Sequence, residues 1–489
     1  MKVLLFGTGD YYERYKTWFD TDEIVALIDN SPVKQNTSID GIQVLSPEKA
    51  ITLSYDYIII MSFYIKAMKK QLMELGVSAD KIYHFYDLHD LFQGKKSKKE
   101  VAVYQPEQAE EAIEKSTDRS IESSIDKSSE KSADISSNKI LLMNQDLTYG
   151  GPALALLHAA RILVKHGYQV TYASMIDGPL RHEILAEGIP VIVDENLLVG
   201  TMKEAEWIHG YSLVICNTIN YHVFLSERDL TIPVIWWLHD SAFFYDGVNR
   251  AAISRINHKN LHVCSVGQVP MRQITKYMQN ISVNDQLLYG VEDCYKPTDL
   301  DKLDRDKISF VTIGYIEQRK GQDILVQAIQ ALPDELRRRA VFYFIGQKCS
   351  LLAQKIEKEV QSMPEIILTG PVDREKIDEY LNNADAMICP SREDPMPTVA
   401  AEAMMHNVPC IVSDATGTAD YITHKKNGLV FHSEDVTELE QNIEWCIREY
   451  EKLRDMGCQA REIYENKFSI AAFEKSLMAE VNGIIGQNR

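Results

Sequence analysis

Three carboxylates, Glu393, Asp394 and Glu402, surround a Pro-x-Pro turn in the stretch CPSREDPMPTVAAEAMMHNVPCIVSD, residues 389 to 414. The run DAMIC before it has the bulk of a buried strand, which Pro390 and Ser391 end. Pro395 and Pro397 stiffen the next loop, and Pro397 or Thr398 opens a helix that continues through TVAAEAMM. Glu402 then falls in the first or second helical turn, with Glu393 and Asp394 in the loop ahead of it, so all three acids can face the mouth above a sheet. A helix N-terminus there, at Thr398 and Val399, supplies amide donors and positive dipole, which suits a phosphate. Anion binding beside carboxylates that accept hydroxyl protons suits a sugar nucleotide. An isolated acid pair is more often a helix cap and a solvated loop, so the neighbouring motifs decide.

The first of these is FVTIGYIEQRKGQDILVQAIQAL. A strand ends at Gly314, a loop carries Glu317, Arg319 and Lys320, and Gly321 precedes a helix. Two adjacent cations at the carboxyl end of a strand can neutralise a diphosphate leaving group. In LTYGGPALALLHAARILVKHG, Gly150 and Gly151 stand directly before a helix, where backbone can approach a phosphate closely. His239 closes the buried strand VIWWLH, and Asp240 beside it is placed to orient the ring. Taken singly, an Arg-Lys pair is surface charge, a Gly-Gly pair is a tight turn and a strand-end histidine is structural.

These loops need parallel sheets to hold them. The chain opens on MKVLLFGTGDYYERY, a strand, a glycine turn and a helix, and then continues through the strands EIVALIDN and YDYIIIMS with the helix YIKAMKKQLMELG. Strands nearly continuous in Val, Ile and Leu imply a parallel sheet covered on both faces, so residues 1 to 93 form a small Rossmann-like domain. Its turn has Gly7 and Gly9, but Tyr12 occupies the place of a third fingerprint glycine, and Asp29 lies where a ribose-binding acid would be. A nucleotide site and a docking scaffold that kept the turn are both open, and the incomplete fingerprint favours the scaffold. Residues 94 to 138 are rich in Ser, Lys and Glu and read as a flexible linker. The strand-helix alternation resumes over 139 to 295, repeats over 296 to 465, and ends in an amphipathic helix over 466 to 489, expected to pack toward the 139 to 295 domain. Two successive doubly wound domains place a ligand at the carboxyl ends of their strands.

The formal net charge of -19 over 489 residues argues against nucleic acid as a partner. No apolar run approaches the ~20 residues needed to cross a bilayer, and the VLLF after Met1-Lys2 is too short for a signal-peptide core. A cytoplasmic protein is expected. The eight cysteines are scattered without a C-x-x-C pair or a Cys/His cluster at zinc spacing, so they are expected to be reduced packing residues, with no metal site.

In this order the segments LTYGGPALALLHAARILVKHGYQVT, WWLHD, LYGVED, IGYIEQRKGQDILVQAI and ADAMICPSREDPMPTVAAEAMMHNVPCIVSDATGTADYITHKKNGLVF resemble a retaining glycosyltransferase of family 4. The resemblance covers residues 139 to 489 and implies an α/β GT-B fold, two Rossmann-like domains facing across a cleft, here preceded by the small N-terminal domain. It implies that Glu402 binds the donor ribose, that Asp394 or Glu393 serves the donor sugar, and that Lys320 bonds the diphosphate. The family's first acid is a glutamate where this chain has Asp394, and its glycine-arginine pair is here Gly314-Tyr315; Arg319 is the candidate to compensate. His239 matches the histidine near the transferred sugar, and Gly151 the glycine loop under the diphosphate. The implied reaction moves a sugar from a nucleotide sugar to a hydroxyl of a glycan, lipid-linked or protein acceptor, without cofactor or metal. A peripheral membrane contact, a protein partner and oligomerisation are compatible with it. Two alternatives stay open: a catalytically silent partner subunit, and a nucleotide-sugar epimerase or phosphorylase on the same frame. Donor base, sugar and acceptor are not encoded in these motifs.

Overall fold

The computed structural model describes residues 1–92, 100–106, 138–279, 281, 283–296 and 307–487. The chain divides into two compact units: Met1–Cys264 with Arg272–Asn284 and Ile484–Arg489, and Ser265–Met271 with Asp285–Gly483.

The first unit holds two sheets. The N-terminal sheet is built from β1 (Val3–Phe6), β2 (Ile24–Ile28), β3 (Ser38–Ile39), β4 (Ile42–Leu45), β5 (Tyr57–Ile60) and β6 (Ile82–His84), in the order β3-β4-β2-β1-β5-β6. Its centre, VLLF, is buried at every position and pairs in parallel with β2 and β5, as an apolar run with no polar alternation must. The second sheet comprises β7 (Ala102–Tyr104), β8 (Lys139–Asp146), β9 (Gln169–Ile176), β10 (Val191–Val193), β11 (Leu213–Asn217), β12 (Val234–Leu238), β13 (Leu261–Ser265) and β14 (Val283–Gln286). They lie in the order β14-β13-β12-β11-β8-β9-β10-β7. β8 and β11 are parallel neighbours from which the strand order runs outward in opposite directions, which makes their carboxyl ends the switch point of this sheet.

Part of the stretch expected to be a flexible linker is ordered. Residues 102 to 104 form β7, antiparallel to β10 with Tyr104 opposite Val191 and Ala102 opposite Val193. The local sequence VAVY has the alternation and β-branching of a strand, which the surrounding charge obscured. Residues 94–99 and 107–137 of that stretch lie outside the described residues, as does residue 93 before it.

The N-terminal sheet is not a separate bead. Its buried residues and those of the second sheet form one apolar cluster that includes Tyr12, Phe85, Ile65, Tyr245 and Val248. Phe63 stacks edge-on against Phe244 at 4.5 Å, Asn249 Nδ2 donates to Asp90 Oδ2 at 2.9 Å, and the Tyr86 hydroxyl bonds Asn220 Oδ1.

The second unit carries β15 (Ile308–Ile313), β16 (Ala340–Ile345), β17 (Ile366–Gly370), β18 (Ala386–Cys389), β19 (Cys410–Ser413) and β20 (Gly428–Phe431), all parallel, in the order β17-β16-β15-β18-β19-β20. The switch point falls between β15 and β18. Both are buried throughout, and the helices Gln322–Ala331 and Val436–Arg448 cover them through Ile324, Leu325, Ile329, Leu439 and Ile443. The long terminal helix runs Ile470–Gln487. Among the described residues no helix is long and apolar enough to cross a membrane.

Candidate functional site

At the switch point of the second unit, β15 delivers Gly314 and then the loop to Lys320, while β18 delivers Pro390 and then the loop to Asp394. Gly314 adopts φ 141°, open to glycine alone without strain, and a side chain there would lie against the Lys320 stem. Lys320 Nζ donates to Asp394 Oδ2 at 2.6 Å, and Arg319 Nη1 stands 3.6 Å from the same oxygen. Asp394 is 6% exposed, so this is a largely desolvated cation pair sharing one carboxylate. Burial by itself would depress the Lys320 ammonium; the Asp394 charge outweighs it and holds the pKa above the ordinary lysine value.

The two loops are tied to each other by a residue that sequence reasoning did not single out. Arg392 donates to both oxygens of Asp323 at 2.8 and 2.9 Å, to Glu434 at 2.9 Å and to the Gln318 carbonyl at 2.6 Å, and its amide meets the Arg319 carbonyl. A bidentate guanidinium fixes geometry as well as charge. Asp394 is pinned from the other side, its amide donating to Ala415 and its carbonyl accepting from Gly417. The Asp394 carboxylate thereby meets both cations. The Glu393 carbonyl accepts from Arg319 Nη1 at 3.3 Å, and Arg319 Nη2 reaches Glu317 at 2.8 Å.

The helix Thr398–Met405 starts where expected, with Pro397 as its N-cap. Glu402 lies in its second turn, but its carboxylate has a partner the sequence did not suggest: Arg374 Nη1, from the helix Arg374–Asn383, at 2.6 Å. Burial lifts the Glu402 pKa, and Arg374 opposes part of that rise. Tyr289, from the segment LYGVED, is buried and donates to the Met396 carbonyl at 3.1 Å, bracing the Pro395–Pro397 turn.

The remaining candidates, Gly150, Gly151 and His239, belong to the first unit. Gly150 is the N-cap of the helix Gly151–Lys165, with open space where a side chain would stand. His239 follows β12, its ring 4.4 Å from Trp237. Its Nε2 is buried with no hydrogen-bond partner among the described residues, and burial pulls the imidazole down to about 3. Asp240 takes a different task from the expected one: its carboxylate accepts the Ile219 amide at 2.7 Å, and burial pushes it up to about 7. In the N-terminal sheet, Asp29 is held by Thr8, by the Ser31 amide at 2.8 Å and by Lys34 at 3.5 Å.

The fold and these loops define the class: consecutive doubly wound domains with phosphate-suited loops at their switch points. The structure is similar over 71% of this chain and 99% of the other to HepE of Anabaena, solved in complex with UDP and glucose, with a TM-score of 0.60 at 18% identity. The fold is GT-B. Residues 299–463 match the model of glycosyl transferases group 1, residues 136–282 that of glycosyl-transferase family 4, and residues 1–83 that of C2185-like N-terminal domains. The first two together span more than half of the chain, which belongs to the group 1 glycosyltransferases. An uncharacterized 41.2 kDa protein in the cps region of Klebsiella pneumoniae is 25% identical over 167 residues, 34% of this chain and 44% of that protein. The capsular polysaccharide biosynthesis glycosyltransferase CapM of Staphylococcus aureus is 24% identical over 109 residues, 22% of this chain and 29% of that protein. The chain thus matches less than half the length of either curated relative.

Proposed function

We propose that this protein transfers a sugar from a nucleotide sugar to an acceptor hydroxyl, with retention at the anomeric carbon and without a catalytic metal. The observation that carries the reading is the Lys320–Arg319 pair gathered on Asp394 at the switch point of the donor-type domain. As the bond from sugar to diphosphate breaks, negative charge grows on the leaving group and positive charge on the ring. Lys320, Arg319 and the first-turn amides of Thr398 and Val399 stabilise the first, and Asp394 the second. Glu402, held by Arg374, is our candidate for the ribose hydroxyls. His239, neutral at physiological pH, offers a hydroxyl an uncharged imidazole. Gly150 and Gly151 leave room for a diphosphate to approach backbone.

HepE, crystallised with UDP-glucose, makes uridine diphosphate sugars the first donors to test, and CapM's name points to polysaccharide acceptors. Work in the cytoplasm, with a peripheral membrane or protein partner supplying the acceptor, fits this reading. The deciding experiment follows donor consumption and product stereochemistry with UDP, GDP, ADP and dTDP sugars, in chelator. Lys320→Ala is expected to lower turnover by roughly 10²–10³, the scale of one electrostatic donor. Undiminished turnover in that variant rejects the assignment. A second reading, a catalytically silent subunit, is favoured by Tyr315, 58% exposed where the family's arginine is expected. It predicts nucleotide binding, read as a thermal shift, with no turnover of any donor.

A further inference from the structure

Residues distant in sequence converge beyond Glu402. His406 is the C-cap of the helix Thr398–Met405, and its side chain is fully buried. Asp378 Oδ1 lies 3.3 Å and Cys294 Sγ 3.8 Å from His406 Nε2, and the three atoms all fall within 4.8 Å of one another. On the far side of the ring, Nδ1 stands 2.7 Å from Asn382 Oδ1. An amide oxygen only accepts, so Nδ1 carries the ring proton and Nε2 turns its lone pair toward a carboxylate oxygen and a sulfur. The Nε2 lone pair, the Asp378 carboxylate and the Cys294 sulfur thus face one point, with the Arg374 guanidinium bonded to Asp378 and to Cys294 beside them.

That arrangement is the one metal-binding histidines adopt: one nitrogen donating to an outer oxygen, the other directed inward. The spacing agrees as well. A tetrahedral ion with ligands at about 2.0–2.3 Å sets nitrogen, oxygen and sulfur about 3.3–3.6 Å apart, so the two separations from His406 Nε2, 3.3 and 3.8 Å, already approach those of such a shell. The carbonyl end of the helix adds favourable potential for a cation. Arg374 is the competing charge. Its Nη2 stands 3.2 Å from Asp378 and its Nη1 holds Glu402, while Arg461 is occupied by Asp293 and the Met405 carbonyl.

We propose that Cys294, Asp378 and His406 form a binding site for a divalent transition ion of the zinc class, with water completing a four-coordinate shell. Binding releases the thiol proton to solvent and leaves the thiolate on the metal. The ion ties the segment after Val291 to the helix Arg374–Asn383 and to the end of the helix that carries Glu402. It shares Asp378 with Arg374, so its charge acts on Glu402 through that guanidinium; the role is to position, separate from the transfer chemistry.

The test uses the reduced, chelator-stripped full chain titrated with Co²⁺ and needs no sugar donor, so its outcome is independent of the transferase reading. A thiolate-to-cobalt charge-transfer band with tetrahedral visible absorption, saturating at one equivalent and displaced by Zn²⁺, is expected. Cys294→Ser should abolish the charge-transfer band, and Asp378→Asn should weaken binding about tenfold or more. Cys349→Ser, at an exposed cysteine, should leave the spectrum unchanged. No band in the unmodified chain, or a band that survives Cys294→Ser, overturns the proposal. Because Cys294 is only partly buried, its serine variant is the one expected to fold and decide.

Discussion

Glu393 and Asp394 are adjacent in sequence, and the fold puts them to different uses. Asp394 closes the charge balance around Lys320 and Arg319, whereas Glu393 contributes its backbone carbonyl to Arg319. Asp394→Asn removes one side of a buried pair and strands an ammonium, a change that typically costs about 3–5 kcal/mol. It should therefore lower the unfolding temperature and cut donor turnover at least about tenfold. Glu393→Gln, which keeps the size of the side chain and the backbone carbonyl that Arg319 uses, should fold normally and stay within about threefold of the unmodified rate. Equal rates and equal melting temperatures in the two variants would remove Asp394 from the site. At this scale the sequence offered residue types and positions: Lys320, Asp394 and Glu402 were named from their motifs together with the family resemblance, and the fold brings Lys320 onto Asp394. Their supports could not be named this way: Arg374 comes from a segment with no motif and Arg392, although inside the opening stretch, reaches a distant acid, and only the packed fold sets Arg374 2.6 Å from Glu402 and Arg392 2.8 and 2.9 Å from Asp323.

At the scale of elements, the short turn that carries Arg319 and Lys320 depends on Gly321. That residue has φ 69°, and a side chain there would lie 2.0 Å from the Pro390 carbonyl, so the β15 and β18 loops touch backbone to backbone. Gly321→Ala is expected to cost on the order of 1–3 kcal/mol in strain and displacement, and to move both cations off Asp394. Unfolding by denaturant measures the first effect and donor binding the second; a variant normal in both would show that the close approach is dispensable. The strands and helices themselves were readable, since buried apolar runs such as ISFVTI and AMIC admit few other structures. The strand at 102 to 104 was missed because three residues within a charged, serine-rich stretch give too short a signal. The cluster of Cys294, Asp378 and His406 was invisible for a related reason: metal-ligand spacing rules describe local loops, and these residues meet only through tertiary packing.

For the whole molecule, burial of titratable groups in the first unit shapes stability against pH. His84 and His239 are pulled down to about 3 and His222 to about 4, chiefly by desolvation. Their folded values lie below the unfolded value of about 6.5, so the stability they carry is complete above that pH and is lost as pH falls toward 4 and 3. Asp240, pushed up to about 7, and Asp87, up to about 6, act in the opposite sense. Their contribution is complete below the unfolded value of about 3.9 and is lost as pH rises through 6 and 7. Three histidines outweigh two carboxyls up to neutrality, so maximum stability is expected between about pH 7 and 8, and Asp240→Asn should steepen the rise toward it, its amide oxygen still accepting from Ile219. Urea unfolding between pH 5 and 8 checks this; parallel profiles for the two proteins would refute it. The edge strand β7 bears on how the molecule may be divided. An unpaired strand edge is a template for other chains, and β7 covers the one that β10 would otherwise present. Trimming the chain to its two family-matched domains would strip that cover and expose the apolar face shared with the N-terminal sheet, inviting self-association. Residues 1 to 104 are thus expected to serve the solubility of the domain they lean on, a role independent of any ligand.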